Sequence, residues 1–177
     1  IDNAGDGFFA TFQSASQAVL CALDLQWRLA HGEAAERPQV RVGIHCGEAQ
    51  MMAAPQPGLP AKPVGLAVDA AARIMGLAQG KQILLTRSAF DAARQHVVNG
   101  PFDTTVVWLA HGSYRLAGID EPLEVCEAGV EGLSPLYPPP NSPKAVRDVS
   151  PADEDTLGWR PAVGHEQHRG TGPGVVV

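Results

Sequence analysis

Proline placement is the feature that most restricts what this 177-residue chain can fold into. Eight of the 15 prolines lie in residues 129–177, and four more lie between residues 55 and 63. Proline lacks a backbone donor and fixes φ, so dense proline interrupts both helices and central strands. We therefore predict one compact domain over residues 1–128, interrupted by a stiff loop, and a Pro/Gly-rich linker over residues 129–177 that leads to a further domain.

Composition and charge exclude several classes of protein. The chain carries 13 Lys and Arg against 19 Asp and Glu, and this net charge of −6 argues against a nucleic-acid-binding protein. No apolar run reaches the roughly 18 residues that a membrane-spanning helix needs. Cys21, Cys46 and Cys126 are an odd number without metal-binding spacing, which is typical of a reducing compartment. We expect a cytoplasmic protein that does not bind nucleic acid and has no membrane span in this segment.

Strand and helix patterns alternate within residues 1–128. Asp-Gly between apolar runs predicts a hairpin at Gly5–Gly7, and Ser14 predicts the start of a helix that runs to about His31. Further predicted elements are a half-buried strand over 40–45, helices over 66–79 and 86–95, and strands over 82–85, 106–109, 113–116 and 123–126. The apolar spacing predicts that Leu20, Leu23 and Trp27 are buried in the first long helix, and Val68, Ala72 and Met75 in the second. Hairpins mixed with helices predict an α+β fold, with one sheet and helices on one face.

Single charged residues give weak signals of function. Asp6 at the predicted hairpin tip is most simply a turn residue, and its alternative role is as an oxygen ligand for Mg²⁺. Arg41 on a strand is either solvated or ion-paired, or a fixed guanidinium that binds phosphate. Asp69 and Arg73 stand four apart and are most simply an ion pair on one helix face. These patterns alone predict an α+β domain that could bind phosphate or Mg²⁺.

Five segments, taken in order, are more specific than any single residue. They are Ala4–Phe12, Val40–Glu48, Gly65–Ile74, Gly80–Thr86 and Tyr114–Pro122. Together they resemble the catalytic domain of class III adenylate and guanylate cyclases of the bacterial signalling type. The resemblance implies a ferredoxin-like core, an antiparallel-rich sheet with helices packed on it, in a head-to-tail homodimer. It also implies a phosphorus–oxygen lyase that converts ATP or GTP to a 3′,5′-cyclic nucleotide and pyrophosphate with two Mg²⁺ ions, which Mn²⁺ can replace.

The resemblance implies roles for three residues that match the family. Asp6 matches the second of two aspartates that hold the metal ions, and Arg41 matches an arginine that contacts the triphosphate. Arg73 matches an arginine that the partner subunit supplies to stabilise the transition state. The first metal aspartate belongs to an upstream strand that this chain lacks, and the chain begins at Ile1 without an initiator methionine. We therefore expect an N-terminally truncated fragment that is inactive by itself, cut from a longer protein that is active.

Other positions depart from the family pattern. Asp69 replaces an asparagine that orients the ribose, and we expect Arg73 to offset its charge. Asp2 and Lys62 stand at positions that select the base. At the position of Asp2, adenine-specific members of the family carry lysine. At the position of Lys62, many members carry an acid. The alternative prediction is therefore a degenerate cyclase-homology module that dimerises and regulates a fused effector. The segment Gly158–Gly164 resembles linkers that follow cyclase domains in large bacterial signalling proteins, sometimes before a Ser/Thr kinase domain, which makes a kinase one candidate effector.

Overall fold

The computed structural model describes residues 2–4, 7–32, 38–53, 61–148 and 174–176. Within these ranges the strands are β1 Asp2–Ala4, β2 Gly7–Phe9, β3 Arg41–Ile44, β4 Gln50–Met52, β5 Lys62–Val64, β6 Ile83–Thr86, β7 Val106–Leu116, β8 Leu123–Val130, β9 Ala145–Arg147 and β10 Gly174–Val176. The helices are α1 Ala15–His31, α2 Leu66–Leu77 and α3 Arg87–Arg94, with a short 3-10 helix at Pro101–Asp103. Eight strands form one mixed sheet in the order β1-β2-β10-β3-β6-β8-β7-β9, and β4 pairs with β5. The predicted α+β class is confirmed.

Helices cover both faces of the sheet, whereas the sequence predicted one covered face. Every residue of β6 is buried, as expected for a central strand. Successive side chains of a strand point to opposite faces. Ile83 and Leu85 therefore join the core under α1 and α3, while Leu84 joins a second core with Ile74 of α2 and Tyr114 of β7.

The first long helix begins as predicted but buries a different set of residues. The Ser14 hydroxyl accepts a hydrogen bond from the Gln17 amide at 3.3 Å, which caps α1. Its buried face consists of Ala15, Ala18, Val19, Ala22, Leu23 and Gln26. Leu20 is 41% exposed, so its predicted burial is wrong. Three of the six buried residues are alanines, and Leu20 lies outside this buried stripe.

Helix α2 also turns a different face inward from the predicted stripe of Val68, Ala72 and Met75. Its buried residues are Ala70, Ala71, Ile74 and Leu77, while Val68, Ala72 and Met75 are only partly buried. The cause is the contact with Gly43 of β3. A Cβ atom at Gly43 would lie 2.3 Å from the Met75 amide nitrogen and 2.6 Å from the Ala71 carbonyl oxygen. The helix backbone therefore rests directly on a strand position that has no side chain.

The two closing strands predicted at 106–109 and 113–116 are one strand, β7. Its register with β8 shifts between Ala110 and Gly112, and Gly112 has φ +87°. The predicted turn at this point is therefore a β-bulge, which a glycine with positive φ accommodates. The compact domain was predicted to end at residue 128, but this residue lies inside β8. Further along the chain β9 pairs with β7, so the sheet continues beyond residue 128.

The predicted N-terminal hairpin is present as β1 paired with β2, with Ala4 opposite Gly7. Gly5 and Asp6 of its loop lie outside the described residues. The proline-rich loop contains a pair that the sequence did not predict, β4 with β5, and residues 54–60 between them lie outside the described part. None of the described helices is long and apolar enough to cross a bilayer.

Candidate functional site

The end of β3, the first half of α2 and the turn between β7 and β8 enclose a cleft of about 460 Å³. We call it the α2 cleft. Its polar lining includes His45, Glu48, Asp69, Arg73 and Asp120. Three elements distant in sequence thus bring several charged side chains together, and two of these side chains, Asp69 and Arg73, were predicted from the sequence.

Helix geometry explains why Asp69 and Arg73 share the cleft. Asp69 lies in the first turn of α2, where a negative charge is favoured by the helix dipole, and Arg73 follows one turn later. Both residues are exposed. The Arg73 guanidinium reaches the β7–β8 turn, because a Cβ atom at Gly118 would lie 3.5 Å from its Nη2. Gly118 has φ +79°, which suits a glycine in that turn.

The predicted ion pair between Asp69 and Arg73 is wrong. None of the salt bridges among the described residues joins these two side chains. Arg73 is directed toward the turn at Gly118 instead. The cleft therefore presents three carboxylates, those of Glu48, Asp69 and Asp120, around a single arginine. A polyanionic ligand would meet repulsion here unless cations accompany it.

His45 lines the α2 cleft just beyond the end of β3. Its Nδ1 lies 3.0 Å from the Thr86 hydroxyl oxygen, which in turn lies 3.2 Å from that of Ser88. These bonds tie the end of β3 to the start of α3. Partial burial lowers the pKa of His45 below its ordinary value of 6.5, so the ring is neutral at pH 7. A neutral ring offers either a donor or an acceptor at the nitrogen that does not face Thr86.

Arg41 is the first residue of β3 and does not line the α2 cleft. Gly43 lies under Ala71 and Met75, whereas Gly47 lies under Ala67, so β3 and α2 run in opposite directions. Arg41 consequently lies toward the C-terminal end of α2, away from the end that carries Asp69. Its Nε is buried, and no described residue accepts a hydrogen bond from it. A buried donor without a partner costs stability, so a ligand that accepts this hydrogen bond would gain affinity.

The remaining predicted site residues are Asp2, Lys62 and Asp6. Asp2 is in β1 opposite Phe9, and Lys62 is exposed in β5 opposite Met52. Lys62 does not line the α2 cleft. Asp6 lies outside the described residues. Within the described ranges no three His, Cys, Asp or Glu side chains are close enough to hold a metal ion. The Mg²⁺ site therefore stays a prediction.

A buried polar cluster on the other half of the sheet was not predicted from the sequence. One oxygen of Glu127, Oε2, accepts a hydrogen bond from Gln82 Nε2 at 2.7 Å and lies 2.8 Å from His111 Nε2. The other oxygen accepts from the Leu136 amide at 2.9 Å. Gln82, His111 and Glu127 are each at most 3% exposed. We call these three residues the Glu127 cluster, and its complete pairing assigns it to stability rather than to ligand binding.

Comparison with known proteins gives relatives and one structural likeness. No family model matches the chain. It is 31% identical over 147 residues to the uncharacterized protein Rv0891c of Mycobacterium tuberculosis, which covers 80% of this chain and 45% of that protein. It is 38% identical over 88 residues to the uncharacterized protein Rv1359 of the same species, with coverage of 50% and 31%. The chain thus spans less than half the length of the curated relatives it matches.

Among solved structures, the guanylyl cyclase Cya2 matches with a TM-score of 0.50 and 21% sequence identity. This match covers 68% of this chain and 62% of that chain. The adenylyl cyclase CyaB from P. aeruginosa matches less well, with a TM-score of 0.43 and 17% identity over 67% of this chain and 62% of that chain. The likeness to Cya2 establishes the fold, as the sequence resemblance predicted.

Proposed function

We propose that this chain, which has the fold of a nucleotidyl cyclase domain, belongs to a cytoplasmic signalling enzyme that makes a 3′,5′-cyclic nucleotide and pyrophosphate from ATP or GTP. The observation that carries the proposal is the placement of two arginines. Arg73 lines the α2 cleft, while Arg41 lies toward the other end of α2 with a buried Nε that no described residue pairs with. This separation suits a head-to-tail homodimer in which Arg73 of the partner subunit completes the site that contains Arg41.

Each residue has a chemical role in this proposal. The Arg41 Nε–H donates to an oxygen of the triphosphate, which relieves its unpaired state. Arg73 donates to the charge that develops at the α-phosphorus as the ribose 3′-oxygen attacks it, and Asp69 accepts from a ribose hydroxyl. Asp2 and Lys62 bear on the choice between adenine and guanine. Asp6 and an upstream aspartate would hold Mg²⁺, which Mn²⁺ can replace.

A regulatory module is the second candidate function. The α2 cleft carries the carboxylates of Glu48, Asp69 and Asp120, and Asp69 has no ion pair with Arg73. An excess of negative charge weakens the binding of a nucleotide polyanion. This observation favours a degenerate domain whose role is to dimerise and to regulate a fused effector, such as a Ser/Thr kinase.

Substitutions in the longer protein separate the two functions. For the enzyme, Arg73→Ala is expected to lower kcat on the order of 10²-fold or more, because the lost donor acts on charge present only in the transition state. The matched control is Arg115→Ala, an exposed arginine of β7 that pairs with Asp148 outside the cleft. This control is expected to leave kcat unchanged. Steady-state production of cyclic nucleotide from ATP and from GTP, with Mg²⁺ and with Mn²⁺, is the measurement.

Asp69→Asn tests the charge of the cleft in the same assay. Removing one carboxylate reduces the repulsion of the nucleotide, so an enzyme is expected to gain kcat/KM. A loss of kcat/KM would show that Asp69 itself is adapted to catalysis. If the wild type and Asp69→Asn both form no cyclic nucleotide above a buffer blank, the enzyme proposal is overturned in favour of the regulatory module.

A further inference from the structure

The chain returns to the sheet after β8 instead of leaving it as a linker. The Gln82 side chain donates a hydrogen bond to the Tyr137 carbonyl at 2.9 Å. The Tyr114 hydroxyl donates to the Pro139 carbonyl, also at 2.9 Å. Gln82, Tyr114 and Pro139 are buried. Interior side chains thus hold main-chain groups of a proline-rich segment on the sheet, and this segment belongs to the domain.

A tight turn follows the proline-rich segment and leads into β9. The backbones of Ser142 and Ala145 exchange two hydrogen bonds, at 2.8 and 3.1 Å. The Asn141 side-chain oxygen accepts a hydrogen bond from the Arg147 amide at 2.8 Å. We call the segment from Asn141 to Arg147 the C-terminal clip. Short-range bonds brace the clip internally, and its strand β9 pairs with the end of β7 at the edge of the sheet.

The C-terminal clip holds the start of the turn between β7 and β8. The Lys144 carbonyl accepts a hydrogen bond at 2.8 Å from the amide of Ala117, the first residue after β7. Ala145 is 4% exposed and lies in the second core beside Leu116, and Ile119 of the turn packs against that core. Backbone and side-chain contacts of the clip therefore both act on the β7–β8 turn.

The β7–β8 turn is a wall of the α2 cleft. Gly118 and Asp120 line this cleft together with Arg73, whose Nη2 lies 3.5 Å from the Cβ position of Gly118. Ile74, the residue after Arg73, is fully buried in the same core as Ala145. The clip on one side and α2 on the other therefore set the distance between the turn and the Arg73 guanidinium.

We propose that the C-terminal clip positions the β7–β8 turn against Arg73, so that the chain beyond Asp148 regulates the α2 cleft through the clip. The clip joins the sheet by an edge strand of only three residues, and such strands belong to the least stable part of a fold. Its detachment leaves the pairings among β6, β8 and β7 in place. A pull on the chain beyond Asp148, for example from a fused effector, thus reaches the turn before the rest of the sheet.

Amide hydrogen exchange of the 177-residue chain, followed by NMR, tests whether the clip holds the turn. Hydrogen-bonded pairs alternate along an antiparallel ladder, and the bonds made by the amides of Ala117 and Asp148 place Val146 at a bonded position between them. Val146→Pro removes this donor, so the amides of Ala117 and Ile119 are expected to exchange at least about 10-fold faster. Amides of β6 and α1 are expected to keep their wild-type rates.

The matched control is Val146→Thr, which keeps the donor and a β-branched side chain. Val146 is 50% exposed, so the hydroxyl remains in water and wild-type exchange is expected. Unchanged exchange at Ala117 in Val146→Pro would overturn the proposal. Equal acceleration in β6 would overturn it as well, because the clip would then be part of the cooperative core.

A gentler pair of variants decides the question if Val146→Pro does not fold. Asn141→Ala removes the acceptor of the Arg147 amide on the exposed side of the clip, and about 3-fold faster exchange at Ala117 is expected. Asn141→Asp keeps an oxygen acceptor and is expected to exchange as wild type. Identical rates at Ala117 in Asn141→Ala and wild type would contradict the proposal.

The Arg73 side chain gives a signal that a merely structural role of the clip would not change. Its Nε–H resonance is assigned by its loss in Arg73→Lys and is expected to shift in Val146→Pro and in Asn141→Ala. The Nε–H resonance of Arg94, which lies near Asp91 on α3, is expected to stay in place. If the Arg73 resonance does not move while the turn exchanges faster, the clip only stabilises the fold and the proposal is wrong.

The effect on catalysis rests on the proposed function and is measured in the longer protein. Val146→Pro is expected to lower kcat on the order of 10-fold, and to lower it no further in an Arg73→Ala background, because the clip acts through Arg73. Two independent losses that multiply would overturn the proposal. If no cyclic nucleotide forms while the exchange rates and the Arg73 resonance change as expected, the enzyme proposal fails and the clip stands.

Discussion

The Glu127 cluster and the α2 cleft contain the same kinds of polar groups and use them in opposite ways. In the cluster, both oxygens of Glu127 have partners and the side chain is fully buried. In the cleft, Asp69 and Arg73 are exposed one helical turn apart and form no ion pair with each other. The polar groups of the Glu127 cluster therefore stabilise the fold, whereas those of the α2 cleft are exposed and available to bind a ligand.

Solvation explains the difference. A buried carboxyl group loses its water, so the chain must supply its hydrogen-bond partners, which are Gln82, His111 and the Leu136 amide. An exposed carboxylate keeps its water, so pairing with a neighbouring arginine contributes little. The two regions should therefore respond very differently to the loss of a charge.

The largest effect is expected at Glu127. Glu127→Ala should lower the free energy of unfolding by about 3–5 kcal/mol, because it removes the common acceptor and leaves buried donors of Gln82 and Leu136 unpaired. Urea denaturation monitored by circular dichroism measures this loss. Glu131→Ala, just beyond β8 and exposed, is the control and should change stability by no more than about 0.5 kcal/mol. A similar small change for Glu127→Ala would mean that the cluster contributes no stability.

An intermediate effect is expected from Cys126, the neighbour of Glu127. Burial, aided by the charge of Glu124, raises the pKa of Cys126 from 9.0 to about 12. The unfolded chain releases this proton above pH 9 while the folded chain retains it, so stability is complete below pH 9 and falls as pH rises toward 12. The loss at pH 10 should be about 1 kcal/mol. The measurement is the difference between wild type and Cys126→Ala in urea unfolding at pH 8 and pH 10, and an equal pH dependence in both would contradict the shift.

The smallest effect on stability is expected in the α2 cleft. Asp69→Asn and Arg73→Ala should each change the free energy of unfolding of this chain by no more than about 0.5 kcal/mol, because both side chains are exposed and unpaired with each other. The same urea experiment measures these changes. Losses above about 1 kcal/mol would show that the cleft residues serve the fold, and the contrast with the Glu127 cluster would disappear.

Local signals in the sequence predicted the elements that local chemistry determines. The Asp-Gly turn predicted the N-terminal hairpin, Ser14 predicted the start of α1, and the four-residue spacing placed Asp69 and Arg73 together. The inward face of α2 was mispredicted, because the predicted stripe left out Ile74 and Leu77 and could not show that the α2 backbone at Ala71 and Met75 rests on Gly43.

No sequence pattern predicted the contacts between residues that are distant in the chain. Gln82 meets Glu127 across 45 residues, and the register between β6 and β8 brings them together. The interior position of β10 likewise depends on the sheet as a whole, since three residues carry no pattern that specifies two neighbours. Within the candidate site, the direction of the Arg73 side chain depends on the turn at Gly118, which no feature of α2 reveals.

The contact between Gly43 and α2 also fixes a dimension of the molecule. Since backbone meets backbone there, the height of α2 above β3 is set by atoms that every residue possesses, and it does not vary with side-chain rotamers. Even alanine at this position would act as a spacer and lift the helix, with Asp69 and Arg73 on it, away from the strand that begins at Arg41. A single methyl group at Gly43 would thus change the distance between Arg41 and Arg73 in every copy of the chain.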